Sequence, residues 1–171
     1  MVSSVLVAPS VSLGLDAPFF DADDEIEKAA GMTVAEIFEH HGEPHFRDGE
    51  RKVIARLMSE GPCVLATGGG AFVNNETRAL LNEKAVTVWL RADLDVLVER
   101  TARKKTRPLL LTGDPRTILA NLIQIRTPYY SQAQFAVDSF GGEAHEAVVD
   151  RILETLKDSG AFQRAVEGEV R

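Results

Sequence analysis

The run Cys63-Val64-Leu65-Ala66-Thr67-Gly68-Gly69-Gly70-Ala71-Phe72 decides the fold of this 171-residue chain. Its first five residues form a short apolar segment, as a strand buried on both faces requires. The three glycines that follow let the backbone approach a ligand closely and aim amides at it, although a plain flexible turn is the alternative reading. Asn74 or Asn75 can then cap a helix carrying Leu80 and Leu81. Strand, glycine loop and helix together make one unit of an α/β domain built on a parallel sheet.

Outward from this unit the alternation continues. Downstream, Val86-Thr87-Val88-Trp89-Leu90 reads as a strand. Leu94, Leu97 and Val98, spaced at i, i+3 and i+4, predict a helix running into the basic segment 100–107. Pro108 to Gly113 reads as a loop, and Asp114 caps a helix with Pro115 in its first position. Phe135-Ala136-Val137 is the last short strand, and a final helix from about Glu143 to Leu156 presents Val148, Ile152, Leu153 and Leu156. Upstream, the acidic stretch from Asp21 to Glu27 opens a short helix that Gly31 can terminate. Thr33 and Glu36 have capping-box spacing, with Val34, Ile37 and Phe38 as an apolar stripe up to Gly42. A longer helix with Phe46, Val53, Ile54 and Leu57 on one side follows, weakened by Gly49.

Composition bounds the function. An apolar fraction of 44% and a charged fraction of 26% are those of an ordinary globular domain. The net charge of −7 argues against nucleic acid as a partner, yet a few placed arginines still suffice for a small anion. One cysteine, Cys63, allows neither an internal disulfide nor a cysteine metal cluster, and its apolar neighbours mark it as a buried hydrophobe. No apolar run reaches the roughly 18 residues a membrane span needs, and no basic region precedes the first apolar run. The expected setting is the cytoplasm, without membrane attachment.

Four groups of residues could carry chemistry. Asp21 and Asp23 follow the apolar pair Phe19-Phe20, at the carboxyl end of a strand, where open α/β sheets bind ligands. As alternate residues of an extended chain they would share a face and could hold a hydrated magnesium ion and a substrate hydroxyl, or they simply favour the next helix N-terminus. Arg47 and Glu50, three apart on a helix, could form a fork for a carboxylate or phosphate, or an exposed ion pair. Arg126, just before Pro128, could do the same or merely answer the helix dipole. Thr106-Arg107-Pro108-Leu109-Leu110 could bring an arginine over phosphates from a loop edge, or be a basic surface loop. His40, His41, His45 and His145 form no metal-ligand pattern, since Gly42 and Pro44 interrupt the one helical pairing.

The order of these pieces is more specific than any of them. Phe19-Phe20-Asp21-Ala22-Asp23, Phe46-Arg47-x-x-Glu50, Thr67-Gly68-Gly69-Gly70-Ala71-Phe72, Thr106-Arg107-Pro108-Leu109-Leu110 and Arg126-x-Pro128-x-Tyr130 occur in this sequence. As an ordered set they resemble the shikimate kinases, P-loop kinases of the nucleoside-monophosphate-kinase type, over roughly residues 13–140. The resemblance implies a three-layer α/β/α domain whose parallel sheet has strand order 2-3-1-4-5. It implies transfer of the ATP γ-phosphoryl group to the shikimate 3-hydroxyl, with magnesium, in chorismate and aromatic amino-acid biosynthesis. It further implies that Asp23 binds shikimate hydroxyls, Asp21 helps organise magnesium, and Arg47 and Arg126 clamp the carboxylate while Glu50 orients Arg47. Gly68, Gly69 and Gly70 would line the same pocket. Arg107 would reach ATP phosphates from a lid at residues 107–117, and Arg100 would lie near the adenine. A monomer is expected.

One element of the family pattern is missing from these 171 residues. Such kinases carry G-x-x-x-x-G-K-[ST] after their first strand, because backbone amides cradle phosphates, lysine offsets charge and the hydroxyl meets magnesium. Here Met1 to Ser12 contains no glycine, lysine or arginine. Between Val5-Leu6-Val7-Ala8, a strand candidate, and Ala17 there is no room for a crossover helix. The expectation is an atypical segment 1–12, a shikimate kinase-like domain at 13–158 and a polar tail at 159–171. The missing central strand would expose two inner strand edges unless residues 5–8 refill the gap, and ATP binding would be poor. A truncated or mis-assigned start is the leading explanation, and a non-catalytic shikimate-binding or regulatory module is the alternative.

Overall fold

Local signals set most of the element boundaries in the computed structural model, which describes residues 4–7, 17–102 and 113–159. Strand β2 (Phe19–Asp21) passes directly into helix α1 (Ala22–Ala30). Asp21 is the cap, its carboxylate accepting the Asp23 amide at 2.9 Å, and Gly31 ends the helix in the left-handed region at φ 67°. Thr33 and Glu36 form the full capping box of α2 (Val34–Glu60). Within α2, Gly42 adopts φ 78°, so two helical stretches meet at a kink there, next to Pro44. Strand β3 (Val64–Thr67) leads through the glycines into a 3₁₀ turn at Ala71–Val73, after which Asn74 caps α3 (Asn75–Lys84). Then come β4 (Val86–Arg91), α4 (Leu94–Ala102), α5 (Pro115–Tyr130, capped by Asp114), β5 (Phe135–Asp138) and α6 (His145–Asp158).

The remaining strand, β1 (Ser4–Val7), sits in the middle of a five-stranded sheet of order β2-β3-β1-β4-β5. The α/β class and the strand order agree with the expectation. Pairs β2–β3 and β4–β5 are parallel, as expected. In one detail the sheet differs: β1 is antiparallel to both neighbours, with Val7 opposite Val64 and Val86, and Ser4 opposite Thr67 and Trp89. Both inner edges are therefore paired rather than exposed. The direction has a physical reason. Antiparallel β1 ends beside Val64, and β2 begins with Phe19 also opposite Val64, so the next strand starts at the edge where β1 stops. A parallel β1 would need a connection crossing the whole sheet, for which the chain has no helix-length segment.

Apolar burial falls into two groups. One, around Ile54, Leu57, Leu65, Phe72, Leu81 and Tyr130, joins α2, β3, α3 and the end of α5. The other, Val88, Val137, Ile152 and Leu156, seals α6 onto β4 and β5. Cys63 is buried in the first group, and burial raises its thiol pKa, so it is an apolar filler rather than a nucleophile. Among the described residues, no helix is long and apolar enough to cross a membrane.

Candidate active site

The parallel strands β2 and β3 end at one edge of the sheet, where α/β folds gather ligand-binding groups. Asp21 and Asp23 emerge there from β2, and Gly68–Gly70 from β3. The two aspartates do not lie in extended chain with their side chains on one face. Asp21 ends the strand as helix cap and Asp23 lies in the first helical turn, because the acids favour the N-terminus of α1.

Helix α2 brings Arg47 against the glycine loop. Its Nη1 donates to Glu50 at 2.7 Å, and its Nε and Nη2 donate to Glu43 at 3.3 and 3.2 Å. This pair is not a solvated helix ion pair, since the Glu50 side chain is only 3% exposed. Burial opposes the Arg47 charge, but the two carboxylates outweigh it and raise the pKa of the guanidinium. Burial also raises the pKa of Glu50; Asp23 adds to that rise, while Arg47 and Arg126 counter it. Its second oxygen, Oε1, is buried and finds no hydrogen-bond donor among the described residues.

The glycines are spent on close approach, not on unusual dihedral angles. A Cβ on Gly70 would lie 2.3 Å from Arg47 Nη1, an impossible contact, although Gly70 has an ordinary φ of −82°. A Cβ on Gly68 would face Asp23 Oδ1 at 3.5 Å and Glu50 Oε1 at 3.7 Å. The carbonyl of Gly69 accepts a hydrogen bond from the hydroxyl of Tyr130, a residue only 1% exposed. Arg126, one turn before Tyr130 on α5, acts on the charge balance of both Glu50 and Tyr130. Asp23, Arg47, Glu50, Gly68, Gly69, Gly70 and Arg126 are thus brought together.

Other predicted residues lie elsewhere. Arg100 is not part of this cluster: it donates to Ser139 Oγ at 2.8 Å and to the Phe140 carbonyl at 2.9 Å, in the loop after β5. Arg107 and most of the lid at 107–117 lie outside the described residues. His40, His41, His45 and His145 are exposed, and the described residues hold no group of three or more metal-ligating side chains. A cavity of about 340 Å³ opens next to the cluster, between Trp89, Arg91, Asp93, Thr127 and Tyr130.

Three residues had no individual role in the sequence reading. Glu43, the second carboxylate on Arg47, stands four residues before it, a helical spacing that could have revealed the pair. Tyr130 stood only as the last letter of Arg126-x-Pro128-x-Tyr130. Arg78 donates to the carbonyls of Phe72 and Val73, to Asn75 and to Gln132, tying the end of the glycine turn to the end of α5. No sequence signal separates it from a surface arginine.

The groups that would hold a nucleotide do not fit as this family requires. No Gly-Lys pair occurs in the 171 residues. Because β1 is antiparallel, the chain leaves Val7 beside Val64 and Val86, where β3 and β4 begin, at the edge opposite the glycine loop. Asp21, expected near magnesium, uses one carboxylate oxygen on the Asp23 amide.

Strand order β2-β3-β1-β4-β5, with a glycine turn after β3, agrees with the fold of the small-molecule P-loop kinases. The sequence matches the family described as shikimate kinase over residues 6–157. The chain is 54% identical over 147 residues to the shikimate kinase of Caulobacter vibrioides, covering 86% of this chain and 73% of that protein. It is 54% identical over 143 residues to that of Bradyrhizobium diazoefficiens, covering 84% and 69%. Among solved structures it resembles shikimate kinase from Acinetobacter baumannii in complex with shikimate, with TM-score 0.77 and 35% identity over 83% of this chain and 80% of that one. The enzyme from Bacteroides thetaiotaomicron matches with TM-score 0.76 and 32% identity, over 84% and 86%. The chain belongs to the shikimate kinase family.

Proposed function

We propose that this chain serves the shikimate kinase reaction, ATP-dependent phosphoryl transfer to the shikimate 3-hydroxyl, and that its described residues form the substrate half of the site. One observation carries the reading: Arg47 packs on Gly70, Asp23 and buried Glu50 face Gly68, and Arg126 lies within electrostatic reach of Glu50. Two cations acting on one site suit a carboxylate, and Arg47 is already aimed by Glu43 and Glu50. Asp23 and the unpaired Oε1 of Glu50 suit ring hydroxyls, which donate hydrogen bonds. Shikimate has both kinds of group. In the family reaction ATP and magnesium supply the phosphoryl group and its charge neutralisation. In the family pattern Asp21 would assist magnesium, Arg107 the phosphates and Arg100 the adenine, but in this chain Asp21 caps α1 and Arg100 is tied to Ser139 and Phe140. The chain works as a cytoplasmic monomer, and its buried thiol suits a reducing compartment.

The reversed central strand favours a second reading, a shikimate-binding module without turnover. Calorimetric titration with shikimate, beside an assay of ADP release with ATP and magnesium, separates the two. Binding with turnover supports the kinase, and binding without ATP binding or turnover supports the module. No shikimate binding rejects both.

A further inference from the structure

Among the fully buried side chains, Tyr130 has the largest volume, and its polar end does not point to solvent. Its hydroxyl donates to the carbonyl of Gly69, across 61 residues of sequence, in the middle of the glycine turn. Its ring packs near Trp89, with centroids 5.8 Å apart, so the phenol cannot swing freely. Arg126 lies one helical turn earlier on the same face of α5, where its positive charge acts on the phenol oxygen.

The peptide plane turns this contact into a constraint on the cleft. No peptide bond among the described residues is cis, so the Gly69 carbonyl and the Gly70 N–H point in opposite directions. Fixing the carbonyl on Tyr130 therefore aims the Gly70 N–H away from Tyr130. The same glycine leaves no room for a Cβ beside Arg47. We infer that Tyr130 is a positioning residue: one hydroxyl between the Gly69 carbonyl and Arg126 sets the loop peptide and the second cation in mutual register, for one carboxylate. Core filling alone would need only the ring. Burial raises the phenol pKa, so the hydroxyl keeps the proton it donates to Gly69 at neutral pH.

This inference rests on the substrate reading above. The test is Tyr130→Phe, which keeps the ring and removes the oxygen, titrated with shikimate and with its methyl ester. Shikimate affinity should fall about tenfold or more, as for loss of a hydrogen bond linked to a charged group. Ester affinity should change little, so the preference for acid over ester shrinks. A variant that melts earlier but keeps the wild-type acid-to-ester ratio makes Tyr130 mere packing and overturns the inference. Failure of the substrate reading looks different, since wild-type protein would then bind neither compound. In that event the Gly70 amide resonance of the ligand-free proteins decides. A shifted or broadened signal in Tyr130→Phe supports the constraint, and an unchanged one overturns it.

Discussion

The guanidinium of Arg47 occupies the space that any side chain on Gly70 would need, with only 2.3 Å between Nη1 and a Cβ built there. Arginine and glycine are therefore a matched pair, one long and forked, the other absent beyond its Cα. Gly70→Ala should push Arg47 off Glu50 and weaken shikimate binding roughly tenfold to a hundredfold, the usual penalty for misplacing a positioning group by about 1 Å. In an Arg47→Ala background the same change should cost almost nothing. A double-mutant cycle by titration calorimetry checks this, and additive losses would refute the pairing.

Arg47→Ala and Arg126→Ala should each weaken shikimate binding by about 2–4 kcal/mol, the scale for removing one side of a desolvated charge pair. Unchanged affinity in both variants would reject the carboxylate clamp.

Two buried glutamates should pull the acid stability profile in opposite directions. Hydrogen bonding to Lys28, helped by Arg56 and opposed by burial, lowers the pKa of Glu25 from 4.5. Its contribution is therefore present above the ordinary glutamate range and is lost as pH falls through its depressed folded value. Burial raises the pKa of Glu50 above 4.5. Its contribution is full below that value and is lost as pH rises through the folded pKa. Melting temperatures between about pH 3 and 7 should show Glu25→Gln flattening the loss on the acid side. Glu50→Gln should flatten the loss on the other side. Slopes that move together would contradict the assignment.

Strand β1 donates and accepts on both sides, to β3 and to β4. Proline at Val5 removes a ladder donor in the sheet centre and should cost about 3 kcal/mol or more. Chemical denaturation measures this directly, and a loss below about 1 kcal/mol would be inconsistent with a central ladder strand.

Much of this was legible before any coordinates, because it depends on short-range chemistry. Asp21, Thr33 with Glu36, Asn74 and Asp114 cap helices by interactions within three residues, so spacing reveals them. From the ordered motifs, Asp23, Arg47, Glu50, Gly68, Gly70 and Arg126 lie near one another, while Arg100 lies elsewhere. The direction of β1 was not legible, since Val5-Leu6-Val7 satisfies a central slot equally well in either sense and only the position of β2 selects one. Tyr130 and Arg78 act through backbone carbonyls far along the chain, and carbonyls leave no mark in a sequence. The face shared by Asp21 and Asp23 was misjudged because the cap turns the chain helical one residue sooner than an extended reading allows.

Within the sheet, four residues, Ser4–Val7, join the parallel pair β2–β3 to the parallel pair β4–β5. The two apolar interiors cross this line, Trp89 of β4 packing against the group that holds Tyr130 and Val64 of β3 against the other. A fault in this short strand would therefore reach the glycine turn as well, through the Trp89 ring that lies beside Tyr130.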